Sequence, residues 1–205
     1  MAKIKLTKGE LKRQRDALKQ YKRYLPTLQL KKQQLQLEIL HQGHTLEEKK
    51  SAAAAKKEVV ETWAGLLSDP AIDMRAWVTS KEVITGVKNI AGVDLPLFSE
   101  VHFKPVEYDL FTMPLWVDGA ILELRALFSM HAEIEVLEKA MKILKQELRI
   151  TTQRVNLFEK VKIPEAEEII RLIKIYMGDQ MTNAVGRSKI AKRKIELSVL
   201  EGVGA

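Results

Sequence analysis

Counting by sevens from Ile4 gives Ile4, Leu11, Leu18, Leu25, Lys32, Ile39, Leu46, Ala53, Val60 and Leu67, nine apolar positions of ten. The row three residues on, Thr7, Gln14, Tyr21, Leu28, Leu35, Gln42, Lys49, Lys56 and Trp63, mixes apolar and polar residues. Such a repeat predicts a coiled-coil helix with a polar-interrupted seam, and its 3.5-residue period predicts a left-handed supercoil. At 1.5 Å per residue the helix would extend about 95 Å. Pro26 predicts a kink near residues 22–26, because a proline inside a helix removes a hydrogen bond and crowds the preceding turn. A second repeat runs Ala120, Leu127, Ile134, Met141, Leu148, Val155, Lys162, Ile169, Tyr176, Asn183, Ile190 and Leu197, with Met130, Leu137, Leu144, Phe158, Leu172 and Leu200 in its companion row. Two stripes of similar length imply helices that fold back on each other, with both termini at one tip. Gly178 and Gly186 weaken the last stretch of helix.

The pattern changes between the stripes. Ser68-Asp69-Pro70 predicts the end of the first helix, with Asp69 as a cap and Pro70 opening a short helix through about Thr79. From Val83 to Pro114, Gly86, Gly92, Pro96, Pro105 and Pro114 punctuate short apolar runs, and Leu97 to Phe103 partly alternates like a strand. The predicted fold is therefore mainly α: a long antiparallel left-handed coiled coil of N- and C-terminal helices, with a small central insert containing a short β-hairpin. Its segments are 1–68, 69–117 and 118–205. Trp63, Trp77 and Trp116 fall near the helix-to-insert junctions and are expected to pack the insert. Ala52 to Ala55 fits either a close helix approach or simple helix propensity.

Composition sharpens this picture. Charged residues make up 30% of the 205, with plentiful Leu, Lys, Glu and Ala, as expected of long solvated helices. There is no cysteine, which excludes disulfides, thiolate metal sites and cysteine nucleophiles. No apolar run approaches the roughly 18 residues that cross a bilayer, and the Lys-rich start lacks the apolar core of a signal peptide. A soluble protein that stays inside the cell is expected. The net charge of +7 hides a polarity: residues 1–32 carry eleven Lys and Arg, Arg187 to Lys194 five more, while Asp94 to Glu138 holds nine acids against Lys104 and Arg125.

Candidate chemistry is sparse. No phosphate-binding glycine loop of either common pattern occurs. His41 and His44 could share a metal on one helix face but lack a third ligand, and His102 and His131 are isolated. No Ser/His/Asp ordering stands out, so no catalytic residue, cofactor or metal is expected. The basic tip allows a nucleic-acid reading, although only Tyr21 and Tyr24 are interleaved with its cations. A basic helical-hairpin nucleic-acid binder and a stand-alone coiled-coil tether remain the alternatives.

One stretch stands apart: Arg154-Val-Asn-Leu-Phe-Glu-Lys-Val-Lys-Ile-Pro164, in which Asn156 and Pro164 both disfavour a solvated helix. Thr152 to Glu159, with Val161, Ile163 and Pro164, resembles the C-terminal helix of the D subunit, the central rotor stalk of V-type and archaeal-type rotary ATPases. The family usually has Ala-Leu-Glu after the Asn, where this chain has Leu157-Phe158-Glu159. Leu6 to Leu11 and Leu28 to Leu35 resemble its first helix, and Asn89 to Pro96 its central segment. Gly178 to Asn183 departs from the acidic, Arg-containing run common at that point, and Pro26 with Gln33-Gln34 replaces a more charged stretch.

The resemblance implies a non-catalytic axle that couples ATP hydrolysis or synthesis in a catalytic hexamer to ion translocation through a membrane sector. It implies as partners the catalytic and regulatory subunits of the hexamer, the small F subunit of the stalk and a membrane-side socket subunit. No nucleic acid is implied, and the location is cytoplasmic, peripheral to the membrane. Arg13, Arg15, Lys19, Arg187, Lys189, Lys192 and Arg193 would line the tip inside the hexamer. Arg154, Asn156, Glu159 and Pro164 form the family signature.

Overall fold

The computed structural model describes residues 5–68, 74–105 and 113–202. Two long helical stretches flank a small antiparallel hairpin: α1 (Lys8–Trp63), a 3-10 turn (Ala64–Ser68), α2 (Arg75–Val78), β1 (Ser80–Ile90), β2 (Val93–Phe103), α3 (Trp116–Leu157), a π-helical turn (Phe158–Lys162) and α4 (Ile163–Gly202). The proposed cap at Asp69 and Pro70 lies outside the described residues. The chain divides into two compact units, one of Leu30–Thr152 and one of Met1–Gln29 with Gln153–Ala205.

The first heptad stripe holds throughout α1. Leu11, Leu35, Ala53 and Val60 are buried, and every other described member of both rows is half-buried except Thr7. Pro26 removes one helical hydrogen bond, yet α1 is helical on both sides of it and the stripe keeps its phase. A Thr7 hydroxyl caps the start by accepting the Glu10 N–H at 3.3 Å.

In the unit of Leu30–Thr152, α1 and α3 run antiparallel, because ascending α1 residues meet descending α3 residues. Lys31 pairs with Glu147 at 3.0 Å, Lys49 with Glu133 at 2.9 Å and Lys56 with Glu123 at 2.9 Å. The lysines that interrupt the companion row of α1 are thus neutralised across the pair.

The hairpin lies against these helices. Val93 and Leu95 of β2 are buried with Leu35 of α1 and with Ala140 and Leu144 of α3, flanked by Ile39, Ile90, Ala91 and Leu148. Its strands pair from Ser80 opposite Phe103 to Ile90 opposite Val93, with irregularities beside Glu82 and between Ile84 and Thr85. The two-residue loop Ala91-Gly92 has positive φ at both positions, 52° and 74°, as a tight hairpin turn matched to strand twist requires. Asn89 holds it: its side-chain oxygen accepts the Gly92 N–H at 3.1 Å, and its amide donates to Asp94 at 2.6 Å. The alternating run Leu97 to Phe103 is part of a strand, as expected, while β1 is longer than its Gly86 suggests.

A second cluster in this unit collects Met74, Val117, Ala120 and Ile121 with Trp63, Trp77 and Trp116, so all three tryptophans pack the junction. Arg125 ties it together. Its Nε and Nη2 donate to the Trp77 carbonyl at 3.1 and 2.9 Å, Nη2 donates to the Lys104 carbonyl at 2.6 Å, and the guanidinium lies 5.0 Å from the Phe103 ring centroid.

The other unit pairs the start of α1 with α4 around Leu11, Ile170 and Ile173, with Leu18, Ile169 and Met177 against them. Here the second heptad stripe does not continue as expected. Val155 is buried and Phe158 packs on Tyr21 at 5.4 Å between ring centroids. Seven-residue steps from those two predict Lys162, Glu165, Ile169, Leu172 and Tyr176. The fully buried positions are instead Ala166, Ile170 and Ile173; Ile163 and Met177 are half-buried, as are Lys162 and Ile169, while Glu165, Leu172 and Tyr176 are exposed.

Each observed position falls one residue late. The cause is the π turn, in which the Ile163 N–H reaches back five residues to the Phe158 carbonyl. A single π turn inserts one residue into an α-helix and rotates all that follows by about 100°. The wider turn also sits immediately before Pro164, where an α-turn would crowd the proline ring against the preceding carbonyl.

Candidate partner-binding surfaces

The family-signature residues are all on the surface. Arg154, Asn156, Glu159 and Pro164 are exposed, so none is explained by packing. Glu159 lies within the π turn, Arg154 and Asn156 on the end of α3 before it and Pro164 just after it.

The basic residues divide into two groups. Arg13, Arg15 and Lys19 are exposed on α1, along the section whose Leu11 and Leu18 face the α4 seam. Arg187, Lys189, Lys192 and Arg193 are exposed on α4, Lys192 with Glu196 3.8 Å away. Residue 187 lies fourteen positions past Ile173, about 21 Å along the axis. The seven cations therefore do not form one cluster, because α4 outruns α1.

From Gly178 to Leu197 every residue of α4 is exposed except the half-buried Gly186. Met181, Val185, Ile190, Ile195 and Leu197 are 50 to 69% exposed among these cations. The helix continues unbroken through both glycines, against their propensity. Just N-terminal to this run, Arg171 donates to Glu168 at 2.9 and 2.7 Å. Those hydrogen bonds hold the Glu168 carboxyl below the usual carboxylate range.

At the junction in the other unit, Leu66, Leu115 and Leu122 are exposed, and Leu66 and Leu122 rim a groove floored by Trp63, Trp116 and Ala120. Composition hinted at Arg125 only as the lone arginine of the acidic stretch. Its role needed the two carbonyls that the fold brings to it. Among the described residues no three His, Asp or Glu side chains converge as metal ligands, and His41 and His44 are exposed. No helix among them is long and apolar enough to cross a membrane.

The elements and surfaces define a class of protein: a helical hairpin with a β insert, whose distinctive features are exposed helical faces. The chain belongs to the ATP synthase D-subunit family, whose model matches residues 10–193. It is 45% identical over 195 residues to the V-type ATP synthase D subunit of Borreliella burgdorferi, covering 95% of this chain and 96% of that protein. The proteins of the same description from Chlamydia pneumoniae and Chlamydia muridarum are each 34% identical, over 97% and 94% of this chain and 96% of theirs.

Proposed function

We propose that this chain is the non-catalytic central-stalk rotor subunit of a V-type ATP synthase complex, coupling ATP turnover in a catalytic hexamer to ion translocation. The observation that carries this reading beyond family membership is the end of α4. A helical run of about twenty exposed residues, with two glycines each costing about 1 kcal/mol relative to alanine, is marginal by itself in water. Its exposed apolar and cationic side chains suit a helix that enters a cavity of a partner.

In this reading the hexamer's catalytic and regulatory subunits surround Arg187, Lys189, Lys192 and Arg193, with Arg13, Arg15 and Lys19 nearer the mouth. The F subunit of the stalk binds along the middle and a membrane-side socket subunit at the tryptophan junction. The protein is then peripheral to the membrane on its cytoplasmic face. The axle makes and breaks no bonds. Its asymmetric surface biases the open and closed states of the catalytic interfaces, by no more than the difference in contact energy between orientations.

Reversing all seven cations to glutamate tests this. Assembly with the hexamer and coupled ATP hydrolysis are expected to fall together while helix content by circular dichroism is kept. Unchanged assembly and coupling would overturn the reading.

A further inference from the structure

We propose that the outward face of α3 from Lys139 to Arg149 is a docking surface for an acidic face of another polypeptide in the complex; this rests on the reading above. The observation is how the acids of α3 are used. Glu123, Glu133, Glu138 and Glu147 are each paired with a lysine of α1: Lys56, Lys49, Lys50 and Lys31. Glu135 reaches only Lys139, at 4.0 Å. Lys142, Lys145 and Arg149 are exposed, and no acid among the described residues pairs with them.

These cations fall at steps of three, three and four residues, which makes one row about 15 Å long. At 100° per residue, Lys142, Lys145 and Arg149 lie on the side of α3 opposite Ala140, the residue packed against the hairpin. All three are exposed, although α1 reaches this side at Glu138, which Lys50 pairs at 2.6 Å. Like charges at such spacings repel by a few tenths of a kcal/mol each, and the two acids nearest on this face, Glu135 and Glu138, are engaged by Lys139 and Lys50.

Charge complementarity fixes the occupant as anionic. A protein face is favoured over nucleic acid because no aromatic side chain interrupts the row to stack a base. A helix or strand presenting two or three Asp or Glu along about 15 Å would satisfy all three cations at once, steering association and fixing orientation.

The test uses the complete co-expressed complex and a zero-length carbodiimide, which joins a lysine amine to a carboxylate in contact with it. The expected result is a cross-link from Lys142 or Lys145 to an Asp or Glu of another subunit. The Lys31–Glu147 and Lys50–Glu138 links within this chain serve as internal controls. Lys142→Glu, Lys145→Glu and Arg149→Glu together should weaken retention of that subunit about tenfold with helix content unchanged.

Recovery of both control links without any intersubunit link from Lys142 or Lys145 would overturn the proposal. So would a triple variant that keeps its subunits and instead loses binding to a homopolymeric RNA. If the unaltered chain does not enter a complex at all, the rotor reading fails and this surface falls with it. A missing cross-link in an assembled complex removes only the docking surface.

Discussion

Deleting Lys160 while replacing Pro164 by alanine should leave the chain as stable as before. The deletion removes the extra residue of the π turn, so Ala166, Ile170, Ile173 and Met177 fall in step with Val155 and Phe158 on an uninterrupted α-helix. Lys160 is exposed, and no ion pair or hydrogen bond of its side chain is lost among the described residues. The opposite change, one alanine inserted after Lys160, throws the seam out of phase again. Ile170 is 8% exposed and Ile173 fully buried, and burying an isoleucine is worth about 1.5–3 kcal/mol. Turning both to solvent costs about 3–6 kcal/mol, offset in part as Ile169 and Leu172 turn inward but not where Lys162 and Glu165 replace Ile163 and Ala166, against about 1 kcal/mol for the helical hydrogen bond that a π turn gives up. On these magnitudes seam burial outweighs helix regularity, and Pro164→Ala alone should keep the π turn. Deleting Lys160 with Pro164 retained should lose about 3 kcal/mol, because the proline then sits in an α-turn. Thermal unfolding followed by circular dichroism reads the series, at about 2–4 °C per kcal/mol for a chain of this size. The insertion should unfold about 10 °C lower and the deletion with Pro164→Ala within a few degrees of the parent. A deletion variant as unstable as the insertion would refute the idea that seam phase sets the turn.

Further outcomes follow from single interactions. Asn89→Ala removes both the acceptor of the Gly92 N–H and the donor to Asp94, and should destabilise the hairpin by about 1–2 kcal/mol in urea unfolding. Ala91→Gly should raise stability by a few tenths of a kcal/mol, since relief of the positive φ slightly exceeds the added chain entropy. Lys31 and Glu147 form the most shielded of the α1–α3 ion pairs, and a double-mutant cycle should give about 1 kcal/mol, with Lys31→Glu rescued by Glu147→Lys. Glu168 is held below its ordinary range by Arg171, so its stabilising contribution is present at neutral pH and lost as pH falls through the folded value. Glu168→Gln should accordingly lower helix stability at pH 7 and leave it unchanged at pH 2, as read by circular dichroism.

The paired helices and the hairpin were legible in the sequence because one side of each is buried. The α1 stripe keeps a single phase, so counting by sevens finds the seam even across Pro26. The register of α4 was not legible. Ile169, Ile170, Leu172, Ile173, Ile175, Tyr176 and Met177 are apolar in both possible phases, and only the backbone at 158–162 decides between them. Asn156 and Pro164 are poor helix residues, but a proline predicts a lost bond and does not specify an added residue. Stripes of equal length suggest equal ends, and hence basic termini at one tip. The described structure has α4 passing α1, which no periodicity reveals. Arg125 and Asn89 act through backbone groups, and a pattern of side-chain types carries no trace of that.

Across the helix pairings among the described residues, α1 supplies the cation and α3 or α4 the anion in all five ion pairs. This partition matters before folding is complete. The ribosome delivers α1 first, with its apolar stripe uncovered until α3 follows more than fifty residues later. Two such nascent helices from neighbouring chains would set Lys against Lys at their seams and repel, and two free α3 helices would set Glu against Glu. The same ion pairs that add little to the finished protein therefore discourage association between unfinished copies, leaving each chain to pair with itself.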